Sequence, residues 1–288
     1  MVFLNGRFLP IDEAKIPVLD RGFIFGDGVY ELVPVYSRVP FRVDEHLGRL
    51  ERSLAEVRIK NPYTRAQWRE IIDALIAQQP FEDQGVYFQV TRGVAKRDHA
   101  FPAGVEPTVF LMSNPLVNPP RELVEHGASA VTAVDNRWLR CDIKAISLLG
   151  NCLMRQLSAD SGAAETIMFR DAKLTEASAS NVFIVGKGII IGPQKSNLIL
   201  PGITYDVVVE IARAQRMALE LRDVKEAEVR SADEVWVTSS SKEVLAIVKL
   251  DGKPVGSGKP GPVFRRMYQG YQDFKQTVMR QRKQAVTA

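Results

Sequence analysis

The chain has 288 residues, 45% hydrophobic and 25% charged, with 38 Lys+Arg against 34 Asp+Glu for a formal net charge of +4. That length suits about two domains of ~150 residues, and the composition excludes a disordered chain. A sequence pI near 9.0 suggests a polyanion partner, yet from Lys259 onward seven basic residues face one acid, Asp273, so the tail carries +6 and the rest −2; any nucleic-acid surface would have to be the tail.

Val2 to Leu4 and Arg7 to Leu9 flank Asn5-Gly6, a type I′ hairpin signal because both turn residues tolerate positive φ. After the turn Gly26-Asp27-Gly28, residues 29–33 alternate as a strand. From Asp44, a candidate cap, Leu47, Leu50, Leu54 and Val57 line one helical face. A second helix is expected after Thr64, with Trp68, Ile71, Leu75 and Ile76 inward, and residues 86–91 and 108–112 read as strands. Residues 114–120 contain three prolines, which suit neither a helix nor a central strand, and read as an interdomain linker. Beyond it the pattern predicts a strand over 128–134, a helix over about 147–161, a strand over 166–169 and a hairpin at Gly186-Lys187-Gly188. A helix over about 204–216 buries Val207, Val208, Ile211 and Ala212, and is followed by a strand over 234–238 and a hairpin at Asp251-Gly252. A last helix after Pro262 packs Val263, Phe264, Met267, Tyr271 and Phe274, with its basic residues in water. Strands outnumber helices without a regular βαβ rhythm, so the expected class is α+β.

No apolar run reaches the ~18 residues of a membrane span, and Asn5-Gly6 interrupts the N-terminus before a signal-peptide core can form. The only cysteines, Cys141 and Cys152, cannot supply a disulfide framework, and a reducing cytoplasm is expected. Walker, G-x-G-x-x-G, His-Glu-x-x-His and G-x-S-x-G patterns are absent, and with three histidines no histidine-rich metal site is expected.

Chemistry therefore rests on lysine, glutamate and small hydroxyl residues. Lys144 is enclosed by Ile143, Ala145 and Ile146; desolvation there would lower its pKa toward that of a Schiff-base nucleophile, although a surface lysine at a strand-to-helix junction fits the segment equally. Glu176, followed by Ala177-Ser178-Ala179-Ser180-Asn181, is either an exposed turn residue or a carboxylate that holds a protonated heteroaromatic nitrogen. Gly202-Ile203-Thr204 opens a helix and Thr238-Ser239-Ser240-Ser241 ends a strand; both offer donors to an anion, or are simply a cap and a loop. Arg49 is a guanidinium for that anion or part of a solvated face. Arg97-Asp98-His99 places two cationic donors one residue apart, a pattern suited to a substrate carboxylate.

In this order the segments resemble the fold-type IV aminotransferases that use pyridoxal 5′-phosphate (PLP), most closely bacterial D-amino acid transaminases. The likeness spans nearly the whole chain through Asp20-Arg21-Gly22, Phe25 to Glu31, Glu45-His46-Leu47 with Arg49, Tyr87 to Gly93, Arg137 to Lys144, Ser180 to Phe183 and Gly202-Ile203-Thr204. The resemblance implies a smaller N-terminal α/β sandwich-like domain (1–113), a linker (114–120) and a larger C-terminal pseudo-barrel domain (121–288). It implies that Lys144 is the Schiff-base lysine and proton shuttle, and that Glu176 pairs with the pyridine nitrogen. Arg49, Ile203, Thr204, Ser239 and Ser240 would hold the phosphate, with Ser180 beside the cofactor. Tyr30, Arg97 and His99 would bind the substrate carboxylate, the last two from the partner subunit, so a homodimer is implied. The expected reaction is transamination between D-amino acids and 2-oxo acids; L-branched-chain or (R)-amine transamination and aminodeoxychorismate lysis share the fold. Where close relatives have Glu-Gly-Ser-Ser-Ser-Asn, this chain has Glu176-Ala177-Ser178-Ala179-Ser180-Asn181, which removes a hydroxyl near the cofactor edge.

Overall fold

The computed structural model describes residues 1–281; Arg282 and Lys283 of the basic tail lie outside the described residues. The chain forms two compact units. Among the described residues the first comprises Met1–Val117, Ile143–Leu148 and 276–281, and the second comprises Asn118–Asp142 and Leu149–Lys275. The expected boundaries, 1–113, 114–120 and 121–288, cut the chain once. The observed contacts instead return 143–148 and 276–281 to the first unit, because Ile143 and Ala145 enter that unit's core and the backbone of Lys144 and Ile146 bonds to Tyr30 and Gly28.

In the first unit, β1 (Val2–Leu4) and β2 (Arg7–Leu9) pair around Asn5 and Gly6, whose φ values of 47° and 89° give the primed turn. A short helix, α1 (Arg21–Phe25), is capped by the Asp20 side chain and ends at Gly26, φ 65°. Then come β3 (Gly28–Tyr36), β4 (Val39–Pro40), α2 (Val43–Glu56), α3 (Arg65–Ala77), β5 (Gln84–Thr91) and β6 (Thr108–Pro115). The sheet runs β2-β1-β6-β5-β3-β4. Its core joins Leu47, Leu50 and Leu54 of α2 and Trp68, Ile72 and Leu75 of α3 to Val33, Val86 and Phe88. Each such side chain, taken fully from water, stabilises the fold by about 1.5–3 kcal/mol before entropy is counted. Two expectations change. The residue at the N-cap of α2 is Arg42, and Asp44 sits inside the first turn in an ion pair with Arg69. Ile72 is the fully buried position on α3, and Ile71 only packs at its margin.

The second unit contains α4 (Arg121–His126), β7 (Ala128–Val134), α5 (Leu149–Asp160), β8 (Glu165–Arg170), β9 (Lys173–Ala177), β10 (Asn181–Gly186) and β11 (Ile189–Gly192). It continues with α6 (Ile203–Ala214), β12 (Leu219–Leu221), α7 (Glu226–Arg230), β13 (Glu234–Ser239), β14 (Glu243–Leu250), β15 (Lys253–Pro254) and α8 (Pro262–Phe274). The nine-stranded sheet runs β12-β11-β10-β13-β14-β7-β8-β9, with β15 on β14. Strand β7 is parallel to both neighbours, while β8 to β11 and β13 to β14 form antiparallel hairpins, so the class is α+β. Another expectation fails in the last helical segment. Lys275 is not in water: it is 2% exposed and its Nζ donates to Glu243 Oε1 (2.6 Å) and Asn118 Oδ1 (2.7 Å). Among the described residues no helix is long and apolar enough to cross a membrane.

Candidate active site

In the first unit, Lys144 is set by the backbone on either side of it. Ile143 and Ala145 enter the core, Ala145 bridges to Val29 of β3, Tyr30 N donates to Lys144 O (2.9 Å), and Ile146 N donates to Gly28 O (3.0 Å). Alternation in this extended segment directs the flanking apolar groups inward and leaves the lysine half-buried. Lys144 Nζ lies 4.2 Å from the centroid of the Tyr30 ring, and Lys144 N is held by Ser53 Oγ (3.2 Å). The lysine is therefore part of an added strand edge, well before α5 begins. Tyr30 itself packs 5.6 Å from the ring of Tyr87, whose hydroxyl pKa burial pushes up to about 12.

Arg49 is 4% exposed, not part of a solvated face. Its Nε donates to Glu31 Oε1 (2.6 Å) and its Nη2 to Glu31 Oε2 (2.8 Å), while His46 Nδ1 meets Glu31 Oε2 at 2.8 Å. Burial works to raise the Glu31 pKa, but the charge and fork of Arg49, with the His46 hydrogen bond, hold this carboxyl far below the usual range. Burial also pushes the His46 pKa down, against the pull of Glu31 and with the help of the Arg49 and Lys144 charges. The ring is thus neutral, with Nδ1–H donating to Glu31.

Arg97 and His99 lie on the connection from β5 to β6, and both are exposed. They flank one ring: the Arg97 guanidinium carbon is 5.3 Å from the Phe25 centroid, and the His99 ring is 5.6 Å from it.

In the second unit, Glu176 is 6% exposed at the end of β9. Arg137 Nη1 donates to its Oε1 (2.6 Å), and Asn181 Nδ2 (3.3 Å) and Leu200 N (3.0 Å) donate to its Oε2. Arg137 is itself fixed by Asp135, which accepts from Nε and Nη2, each at 2.9 Å. Burial alone would lower the Arg137 pKa, but Asp135 and Glu176 raise it, so the guanidinium stays charged beside both carboxylates. Arg137, which the sequence shows only as the start of a matching segment, and Asp135, which it does not single out, are the residues that hold Glu176. Their signal is the Asp-x-Arg spacing, which puts both side chains on one face of an extended chain.

Asn181 ties the rest together. It lies opposite Thr238 in the β10–β13 ladder, donates to Glu176 and to Leu200 O (3.0 Å), and its Oδ1 fills the space that a Cβ on Gly202 would need. Gly202, Ile203 and Thr204 form the start of α6, which has no side-chain cap. Nearby, the Thr238 hydroxyl is buried without a partner, and Ser239 and Ser240 follow it. Ser239 Oγ accepts from Lys242 N (3.1 Å). Ser180 Oγ donates to Glu165 Oε1 (2.7 Å), and Glu165 also takes Lys242 Nζ (2.7 Å) and the Ser178 hydroxyl. The hydroxyl of Ser180 is thus directed at Glu165. The two substituted positions differ in setting: Ala177 is buried in the core and Ala179 is exposed at the tip of the turn.

The second unit therefore offers a clamped carboxylate, an uncapped helix start with a positive dipole end, and spare hydroxyls, which suit a cationic ring nitrogen and an anionic group respectively. The first unit offers a lysine amine, the exposed Arg97 guanidinium and the exposed His99 ring.

Residues 28–250 match the family described as amino-transferase class IV. The chain is 38% identical to a D-alanine aminotransferase of Bacillus licheniformis, over 94% of this chain and 96% of that one. It is 39% identical to a D-alanine aminotransferase of Staphylococcus aureus, over 95% and 97%. Among solved structures, a branched-chain amino acid aminotransferase of Escherichia coli superposes with a TM-score of 0.88 at 24% identity, covering 94% of this chain and 93% of that one, a likeness of fold. The chain belongs to the class IV aminotransferase family.

Proposed function

We propose that the protein catalyses PLP-dependent transamination between D-amino acids such as D-alanine and 2-oxo acids such as 2-oxoglutarate, with Lys144 as its catalytic residue. The observation that carries this reading is the near full-length likeness to D-alanine aminotransferases in a chain that keeps a buried, arginine-clamped Glu176. The donor set suits the cofactor: a lysine amine at Lys144, an arginine-paired carboxylate for the ring nitrogen, and the buried unpartnered Thr238 hydroxyl with an uncapped helix start for a phosphate. Ile203 and Thr204 through the first turn of α6, with Ser239 and Ser240, would hold that phosphate. Arg49 would add its charge, shared with Glu31. Ser180 would support the site from its bond to Glu165.

When bound, PLP supplies an aldehyde that accepts an amine and a pyridine ring that withdraws electrons from the substrate Cα. Lys144 Nζ would take the proton from the substrate Cα and deliver it to the carbon of the cofactor's former aldehyde. Glu176 would face the ring nitrogen, held in place by Arg137. Tyr30, Arg97 and His99 orient the substrate carboxylate.

A homodimer with cytoplasmic residence completes the reading. The exposed face Leu149, Leu153 and Leu157 of α5, at 74, 57 and 40% exposure, is more apolar surface than a lone helix face leaves to water and suits a second copy. The two free cysteines suit a reducing compartment.

The deciding experiment assays D-alanine, L-leucine and (R)-1-phenylethylamine with 2-oxoglutarate. Turnover of D-alanine above the other two is expected, and exclusive activity on L-leucine would overturn the reading. Lys144→Ala should lower D-alanine turnover by about 10²–10⁴-fold.

A further inference from the structure

Arg97 and His99 sit on a long exposed connection with little regular structure, residues 92–107. Two hydrogen-bond-donating side chains on a loose loop would lose much of their attraction for a carboxylate to ordering entropy. This loop, however, is mounted. Arg21, 3% exposed, donates from Nη1 to Asp98 O (2.5 Å) and Ala100 O (3.4 Å), and from Nη2 to His99 O (3.4 Å). One guanidinium thus holds three consecutive carbonyls. Its Nε donates to Asp27 Oδ2 (2.7 Å), which also accepts from Arg92 Nε (2.7 Å). Arg92 in turn lies 3.6 Å from the centroid of Phe101 and donates to Val57 O and Arg58 O. The start of the loop is tied to the same place by Arg21 N, which donates to Gly93 O (2.9 Å).

We propose that Arg21 and Arg92, joined through Asp27, are positioning residues for carboxylate recognition: Arg21 fixes the backbone of residues 98–100, Arg92 seats the Phe101 ring, and together they aim Arg97 and His99. The planar fork of arginine suits this task because its donors reach several carbonyls at once, which a lysine ammonium on a flexible stem does not. The Phe25 ring, flanked by Arg97 and His99 and 4.8 Å from the Arg21 guanidinium carbon, fixes the same pair from below. The inference rests on the proposed reading of Arg97 and His99 as carboxylate ligands.

The test compares D-alanine with D-alaninol, the same amine without a carboxylate, in holoenzyme carrying Arg21→Gln, Arg21→Lys, Arg97→Ala and the Arg21→Gln/Arg97→Ala pair. The half-reaction with each amine is followed by the absorbance of the bound cofactor. For Arg21→Gln the KM for D-alanine should rise by about tenfold, the scale of one lost charge-assisted contact, with kcat nearly unchanged and D-alaninol unaffected. Arg21→Lys should behave in the same way, and the double variant should lose no more preference for D-alanine over D-alaninol than Arg97→Ala alone. Equal loss on both amines for Arg21→Gln would make its role structural and overturn the proposal. Retained preference in Arg21→Gln beside lost preference in Arg97→Ala would overturn the positioning role while leaving the carboxylate reading intact. Retained preference in Arg97→Ala would overturn the carboxylate reading and the proposal with it. If Arg21→Gln does not fold, Asp27→Asn, which keeps both arginines, should shift the preference in the same direction, and an unchanged preference there counts against the proposal.

Discussion

Two buried groups, Asp135–Arg137–Glu176 and Glu31–His46–Arg49, pair carboxylates with cationic or donor side chains, and the residue-scale predictions follow from them. Removing Arg137 takes away the guanidinium that bridges the buried Asp135 and Glu176 and leaves Arg170 alone beside Asp135. Arg137→Ala should therefore cost about 3–5 kcal/mol of stability and weaken PLP retention, measured by thermal melting and by cofactor titration of the same sample. The Glu31, His46 and Arg49 group gives a pH dependence. A carboxyl held far below its ordinary pKa stabilises the fold above its unfolded value, and that contribution fades as pH falls below about 4. His46, buried and neutral, acts in the same direction at higher pH. The unfolded chain takes up a proton on histidine below about 6.5 while the folded one resists, so stability falls on acidification from about pH 7. Melting temperatures recorded from pH 8 to 5 should decline, and His46→Gln should flatten that decline even if it lowers the whole curve. An unchanged slope in the variant would remove His46 from the account.

Elements with strong periodicity were legible, and short ones were not. The primed hairpin at Asn5-Gly6, α2, α3, and α6 with Val207, Val208, Ile211 and Ala212 inside, all appear where pattern and turn chemistry place them. By contrast α4, β9, β12 and α7 hold three to six residues each, too few for a period to declare itself, and owe their existence to tertiary pairing. The candidate site divides in the same way. Lys144 and Glu176 stand out by local sequence, whereas Arg49 reads as a surface residue because its partner Glu31 lies on a separate strand. Lys275 misleads for a similar reason, since Glu243 and Asn118 are remote in sequence. At the start of α6 the close approach of Asn181 to Gly202 yields a further prediction. Gly202→Ala should displace Asn181, cost about 1–3 kcal/mol in a melt, and weaken binding of PLP more than binding of its non-phosphorylated analogue pyridoxal. Equal effects on both would argue against an anion site at that helix start.

At the scale of the whole molecule, a second copy is expected to cover the Leu149, Leu153 and Leu157 face. Leu153→Glu should shift sedimentation from dimer to monomer and remove most D-alanine activity, since Arg97 and His99 are assigned to act from the partner subunit. A monomer with full activity would contradict that assignment. The return of residues 143–148 to the first unit has its own consequence for how the protein is made. On a ribosome the first unit cannot close when its opening stretch emerges, because an edge of its sheet is encoded after an excursion into the second unit. A further piece follows near the C-terminus, where Arg280 locks onto Asp83 (2.5 Å) and Ser37 (2.8 Å). Until then the bare β3 edge is a template for mispairing. The lysine assigned to catalysis is thus delivered by the same late segment that seals the sheet, so a nascent chain unable to finish folding also lacks the means to react.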